Sequence, residues 1–169
     1  MFKDDIRLYG KHAKILKKYS RDNSSNSEYK FDLRDHRNKI MTCYIFETMI
    51  GLFMCSAMVG IIEGKKAPVD NNKDVYANIM SQQVVKYRSN LERIYKFMIL
   101  SNKDESVDKR IKTAFTVKED NNHEMEKEIY AYARGGLEII DSYFKECKTY
   151  EDVANALSIF VQDYSVEID

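Results

Sequence analysis

Between Ile40 and Ile62 the chain carries a single charge, Glu47, and the run is flanked by RDHRNK on one side and EGKK on the other. About 20 apolar residues suffice to cross a bilayer, so length alone permits a membrane span. Glu47 opposes that reading, because a carboxylate well inside a bilayer costs about 2.5–3.5 kcal/mol. So do the weakly apolar Thr, Ser and Gly positions and the amphipathic segments elsewhere, which need something to pack on. The run therefore predicts a buried central helix over 40–62, with Gly51, Ser56, Ala57 and Gly60 letting neighbours approach closely.

What packs around it follows from punctuation. Six Gly and one Pro in 169 residues are too few for the turns of a sandwich or barrel, or for a Gly-rich phosphate loop. The expected fold is all-α: one domain over 1–169, with five to six helices around the central one. Phe2, Ile6, Tyr9, Ala13 and Leu16 form one stripe and predict a basic amphipathic helix over 2–19. SRDNSSNSE, residues 20–28, reads as a polar loop, and 38–164 as the helical core. Gly64 ends the central helix, Pro68 prevents its continuation, and Asp74 caps a helical pattern from Val75 to about Leu100. Ser106–Phe115 is a short helix. Asn121 with Glu124, and Thr149 with Asp152, have the spacing of capping boxes for two more.

Charge is balanced at 27 basic and 27 acidic residues but unevenly placed. Residues 1–40 hold eleven Lys/Arg against six Asp/Glu, whereas 119–141 and 145–169 are acidic. Such a molecule has no global field to coat nucleic acid, although a local basic patch still acts within about 8 Å. Cys43, Cys55 and Cys147 make no CxxC, and the start MFKDD lacks an apolar export segment, which leads to the expectation of a reducing cytoplasm.

Candidate chemistry is sparse. His12, His36 and His123 have no metal-ligand spacing, and no nucleophile has a base at a recognisable interval, so no catalytic residue, metal or cofactor is expected. Arg7 and His12 have the R-x4-H spacing of helical HEPN-type ribonucleases, in which His moves a proton and Arg stabilises phosphorane charge. Leu8 replaces the polar residue often found after that Arg. Arg134-Gly135-Gly136 interrupts a helical pattern at a cost of about 1–2 kcal/mol. Either a close helix crossing or a backbone surface offered to a partner compensates. Lys65, Lys66, Arg88 and Arg93 read as solvated surface or as a contact with a partner protein or DNA.

The stretches IFETMIGLFMCSAMVGIIEGKKAPVD (45–70), IYAYARGGLEIID (129–141) and YEDVANALSIF (150–160) resemble small accessory proteins encoded beside DNA-phosphorothioation (Dnd-type) and other bacterial anti-phage defence genes. The matching positions are Gly60, Lys65, Lys66, Pro68, Tyr132, Gly135, Gly136 and Glu138. The segments 1–40 and 71–120 match less well. The resemblance implies a non-catalytic subunit working with larger ATPases, SMC-like or helicase-like, and nuclease subunits. Its partner contacts would use Lys65, Lys66, Pro68, Arg88, Arg93, Arg134, Gly135, Gly136 and Glu138, with weak or indirect DNA contact. The alternatives are a HEPN-like ribonuclease built on Arg7 and His12, or a small DNA-binding module using the basic N-terminal helix.

Overall fold

A computed structural model describes residues 2–21, 29–116 and 122–165. The expected central helix is shorter than the apolar run that announced it. Its first residues, among them the β-branched Ile40 and Thr42, form strand β3 (Ile40–Cys43), which pairs antiparallel with β2 (Phe31–Arg34). Between them the chain turns through Asp35, whose carboxylate accepts from Arg37 N and Lys39 N, and Asn38 at φ +61°. Thr48 then caps α2 (Met49–Ile62), its hydroxyl accepting from Gly51 N at 3.1 Å. Helix α2 is apolar all round and buries Ile50, Leu52, Phe53, Ala57, Val59 and Ile61. Among the described residues no helix is long and apolar enough to cross a membrane.

The all-α expectation is corrected by a second small sheet. Residues 2–19 are not one helix: β1 (Ile6–Tyr9) precedes α1 (Gly10–Tyr19). Ile6 and Leu8 alternate inward, as a half-buried strand requires. Gly10 makes the corner at φ +54°, its N–H bonded to Val75 O, with Asp70 occupying the space where a side chain would stand. The partner strand is β4 (Tyr76–Ile79), in register Ile6↔Ile79 and Leu8↔Ala77. Hence the helical pattern expected from Val75 opens as a strand and continues as α3 (Ser81–Lys86) and α4 (Arg88–Ser101), separated at Tyr87. The stripe survives the break, with Val84, Leu91, Ile94, Tyr95 and Met98 buried.

Helix α5 (Val107–Phe115), capped by Ser106, matches the expectation. So does α6 (Asn122–Phe144), which buries Ile129, Ala133, Leu137, Ile140 and Phe144. The expected cap at Asn121 lies outside the described residues, as do residues 22–28 of the polar loop. Helix α7 (Tyr150–Tyr164) starts with the full capping box: Asp152 N donates to Thr149 Oγ1 and Thr149 N to Asp152 Oδ2. Thr149→Ala is expected to cost about 1 kcal/mol and to fray α7 first, as hydrogen exchange of its first turn would show.

The centre of the molecule is the pair α2 and α6. A Cβ added to Gly60 would meet the Tyr132 carbonyl, and one added to Gly136 the Ser56 carbonyl, both closer than 3.0 Å. Backbone meets backbone here. The loop after α2 continues the contact: Lys65 O stands where a Gly135 side chain would, and Ala67 N donates to Ala131 O. Of the two compensations open for the glycine pair, the close crossing is the one the fold contains.

Candidate functional site

Because α1 also lies on α6, side chains distant in sequence converge on one carboxylate. Glu138 Oε1 accepts from Lys11 Nζ at 2.8 Å and His12 Nε2 at 3.1 Å, and Oε2 faces Lys65 Nζ at 3.2 Å. Partial burial alone would raise the Glu138 pKa. The hydrogen bonds from Lys11, His12 and Lys65 outweigh it and pull the group down to about 2. Glu138 is therefore an ionised structural acceptor and holds no proton near neutrality.

His12 is fully buried. Desolvation depresses its pKa below the ordinary 6.5, against the opposing pull of Glu138, so the ring is neutral near pH 7. Neutral imidazole has one donor nitrogen. Glu138 can only accept, which fixes the proton on Nε2 and leaves the buried Nδ1 as a lone pair without a partner. A general acid or base must reach the proton it transfers, and His12 exposes no surface for that. Arg7 sits on β1, its Nε 3.4 Å from Asn78 Oδ1. The R-x4-H pair is thus split between a strand and a buried helical face.

A second set of contacts ties the loop to α6. Arg134 Nε donates to Ala67 O at 2.8 Å, and burial lowers the guanidinium pKa. Arg134, Gly135 and Gly136 are buried. Their atoms face the α2 side of the molecule, where they hold the fold. Lys66 ion-pairs with Glu128 and lies over the Tyr132 ring, 4.7 Å from its centroid. Pro68 is exposed in the same loop. The structure thus joins Lys65, Lys66, Arg134, Gly135, Gly136 and Glu138 along α6. Arg88 and Arg93 stand on α4, both exposed; Arg88 pairs with Glu92 at 2.9 Å.

Reasoning from sequence missed Lys11, which no local motif marks, and Tyr19, whose hydroxyl donates to Asp141 at 2.7 Å one turn beyond Glu138. It also missed an exposed apolar surface. On α7, Val153, Ala156, Phe160 and Tyr164 face the core. Tyr150, Leu157 and Val161, at helical steps of seven and four, remain 45%, 40% and 56% exposed. Tyr150 reaches β3, where its hydroxyl lies 3.0 Å from Cys43 Sγ and 3.8 Å from Met41 Sδ. Met41, on the same face of β3 as Cys43, extends the surface at 45% exposure. Among the described residues no three His, Cys, Asp or Glu side chains gather as a metal-ligand set. Comparison of the chain with family models, with curated proteins and with solved structures returns no match.

Proposed function

We propose that this chain is a non-catalytic accessory subunit of a bacterial anti-phage defence complex, held to a larger ATPase or nuclease subunit by protein–protein contact. The defence setting rests on the resemblance of 45–70, 129–141 and 150–160. The observation that carries the contact is the apolar surface shared by α7 and β3, which runs from Val161 and Leu157 through Tyr150 to Met41. Contiguous exposed apolar residues rimmed by charge are typical of interaction sites. Glu151 flanks this surface on α7, which suits a partner surface that is apolar at its centre with a basic group at its edge. The exposed Lys65, Lys66, Arg88 and Arg93 are assigned as its outlying charged contacts, with the exposed Pro68 beside the two lysines.

Affinity capture with the products of neighbouring genes tests this reading. The wild-type chain is expected to retain one of the large subunits. Leu157→Glu with Val161→Glu is expected to cut retention at least tenfold, with a melting temperature within about 2 °C of wild type because both side chains already face solvent. A wild-type protein that stays monomeric and retains none of those products overturns it.

A further inference from the structure

Beside the Glu138 cluster, α1 and the start of β2 enclose a cleft of about 460 Å³, within the usual range of small-ligand sites. Four ammonium groups line it: Lys11, Lys14 and Lys18 at helical steps of three and four along α1, and Lys30 from the chain leading into β2. Lys11 is committed to Glu138. The other three form no ion pair with any described residue. Aromatic rings set the positions of two of them. Lys14 Nζ lies 5.5 Å from the Tyr29 ring centroid, and Lys18 Nζ lies 4.9 Å from Tyr19 and 5.7 Å from Phe31. A cation held over a ring keeps its charge available.

Two carboxylates, Glu138 and Asp141, lie on the opposite wall. Bare phosphate would be repelled by both. A ligand that carries hydroxyl groups beside its phosphate satisfies both walls, since ionised carboxylates only accept. Asp141 uses Oδ1 for the Tyr19 hydroxyl, and no hydrogen bond from a described residue occupies Oδ2. The remaining lining, Ile15 and Tyr29, is apolar and aromatic. The geometry points to a binding site for a nucleoside phosphate: phosphate on Lys14, Lys18 and Lys30, ribose hydroxyls on Asp141, and the base against Ile15 and Tyr29. This lies beyond the accessory role proposed above and uses a different surface from the α7 and β3 face.

Titration calorimetry of the full chain with ADP tests it. ADP is expected to bind, and to bind at least tenfold tighter than inorganic pyrophosphate, because pyrophosphate offers nothing to Asp141 or the apolar wall. Lys14→Ala with Lys18→Ala, and separately Lys30→Ala on another segment, are each expected to weaken ADP at least tenfold while leaving the melting temperature unchanged. Three results overturn the proposal: no heat with ADP at millimolar concentration, equal affinity for ADP and pyrophosphate, or a single-stranded RNA whose affinity exceeds that of ADP and rises with its length. The last would make the cleft part of a nucleic-acid groove.

Discussion

Gly136→Ala is expected to destabilise the protein by about 3 kcal/mol or more, the upper range for forcing atoms into a filled interior. For a chain of this size that lowers the melting temperature by about 6–12 °C. Helix propensity alone predicts the opposite sign, since Ala inside a helix is about 1 kcal/mol better than Gly. Packing decides because the obstacle is the Ser56 carbonyl, a piece of backbone on α2 that no rotamer change can move, with Gly60 N 3.0 Å from the same added Cβ. Relief requires the two central helices to part, and the apolar contacts on either side of the crossing part with them. Gly60→Ala meets the Tyr132 carbonyl in the same way and should behave alike. Two other glycines serve as controls. An added Cβ at Gly51 meets only the Thr48 hydroxyl, at 3.0 Å, and Gly64 has nothing within 4 Å but sits at φ +62°. Gly51→Ala should be nearly neutral, and Gly64→Ala should cost about 1 kcal/mol of left-handed backbone strain. Equal melting temperatures for Gly136→Ala and Gly51→Ala would rule out the close crossing.

That crossing is legible in the sequence because it is local on both sides: a glycine pair in one helical pattern and a spacing of small residues in another. Helices α5, α6 and α7 are legible for the same reason, since stripe and cap lie close together along the chain. The strands are not. In β1, Ile6 and Leu8 alternate, but Ile6 also falls in step with Tyr9, Ala13 and Leu16, so a short strand reads as the first turn of a helix. Only the pairing with β4, on the far side of α2 in the chain, decides between them. In β3 the apolar run conceals the change from a strand carrying the β-branched Ile40 and Thr42 to the Met, Leu and Ala of α2. The Glu138 cluster is least legible. His12 stands out as a proton-transfer candidate and Glu138 through the resemblance, yet they come from opposite ends of the chain. Their meeting depends on how α1 lies on α6, which no spacing records. The same juxtaposition turns His12 from a reactive group into a buried donor.

The cluster should make stability depend on pH in two stages. His12 has a folded pKa below its ordinary 6.5. Below pH 6.5 the unfolded chain therefore binds a proton that the folded chain resists, and stability falls as pH falls. Protonation would also place an N–H on the buried Nδ1, where no acceptor waits. Glu138 acts lower down. Its stabilisation is complete above its ordinary value of 4.5 and is lost as pH drops from there toward about 2. Each pKa unit corresponds to about 1.36 kcal/mol. About a quarter of the Glu138 side chain is open to solvent, so screening reduces the total to about 2 kcal/mol. Urea midpoints followed by circular dichroism from pH 8 to pH 2.5 would separate the stages. His12→Gln keeps a donor toward Glu138 and removes the titrating ring, so its curve should lose the decline that begins near pH 6.5. Glu138→Gln should be less stable than wild type at pH 7 by that same amount, because Lys11, Lys65 and the His12 N–H lose a charged acceptor together. From pH 4.5 down toward 2 the unfolded wild-type chain takes up a proton at Glu138 that the folded carboxylate resists, and the two curves should converge. A gap between them that stayed constant down to pH 2.5 would show that Glu138 acts through its shape and not its charge.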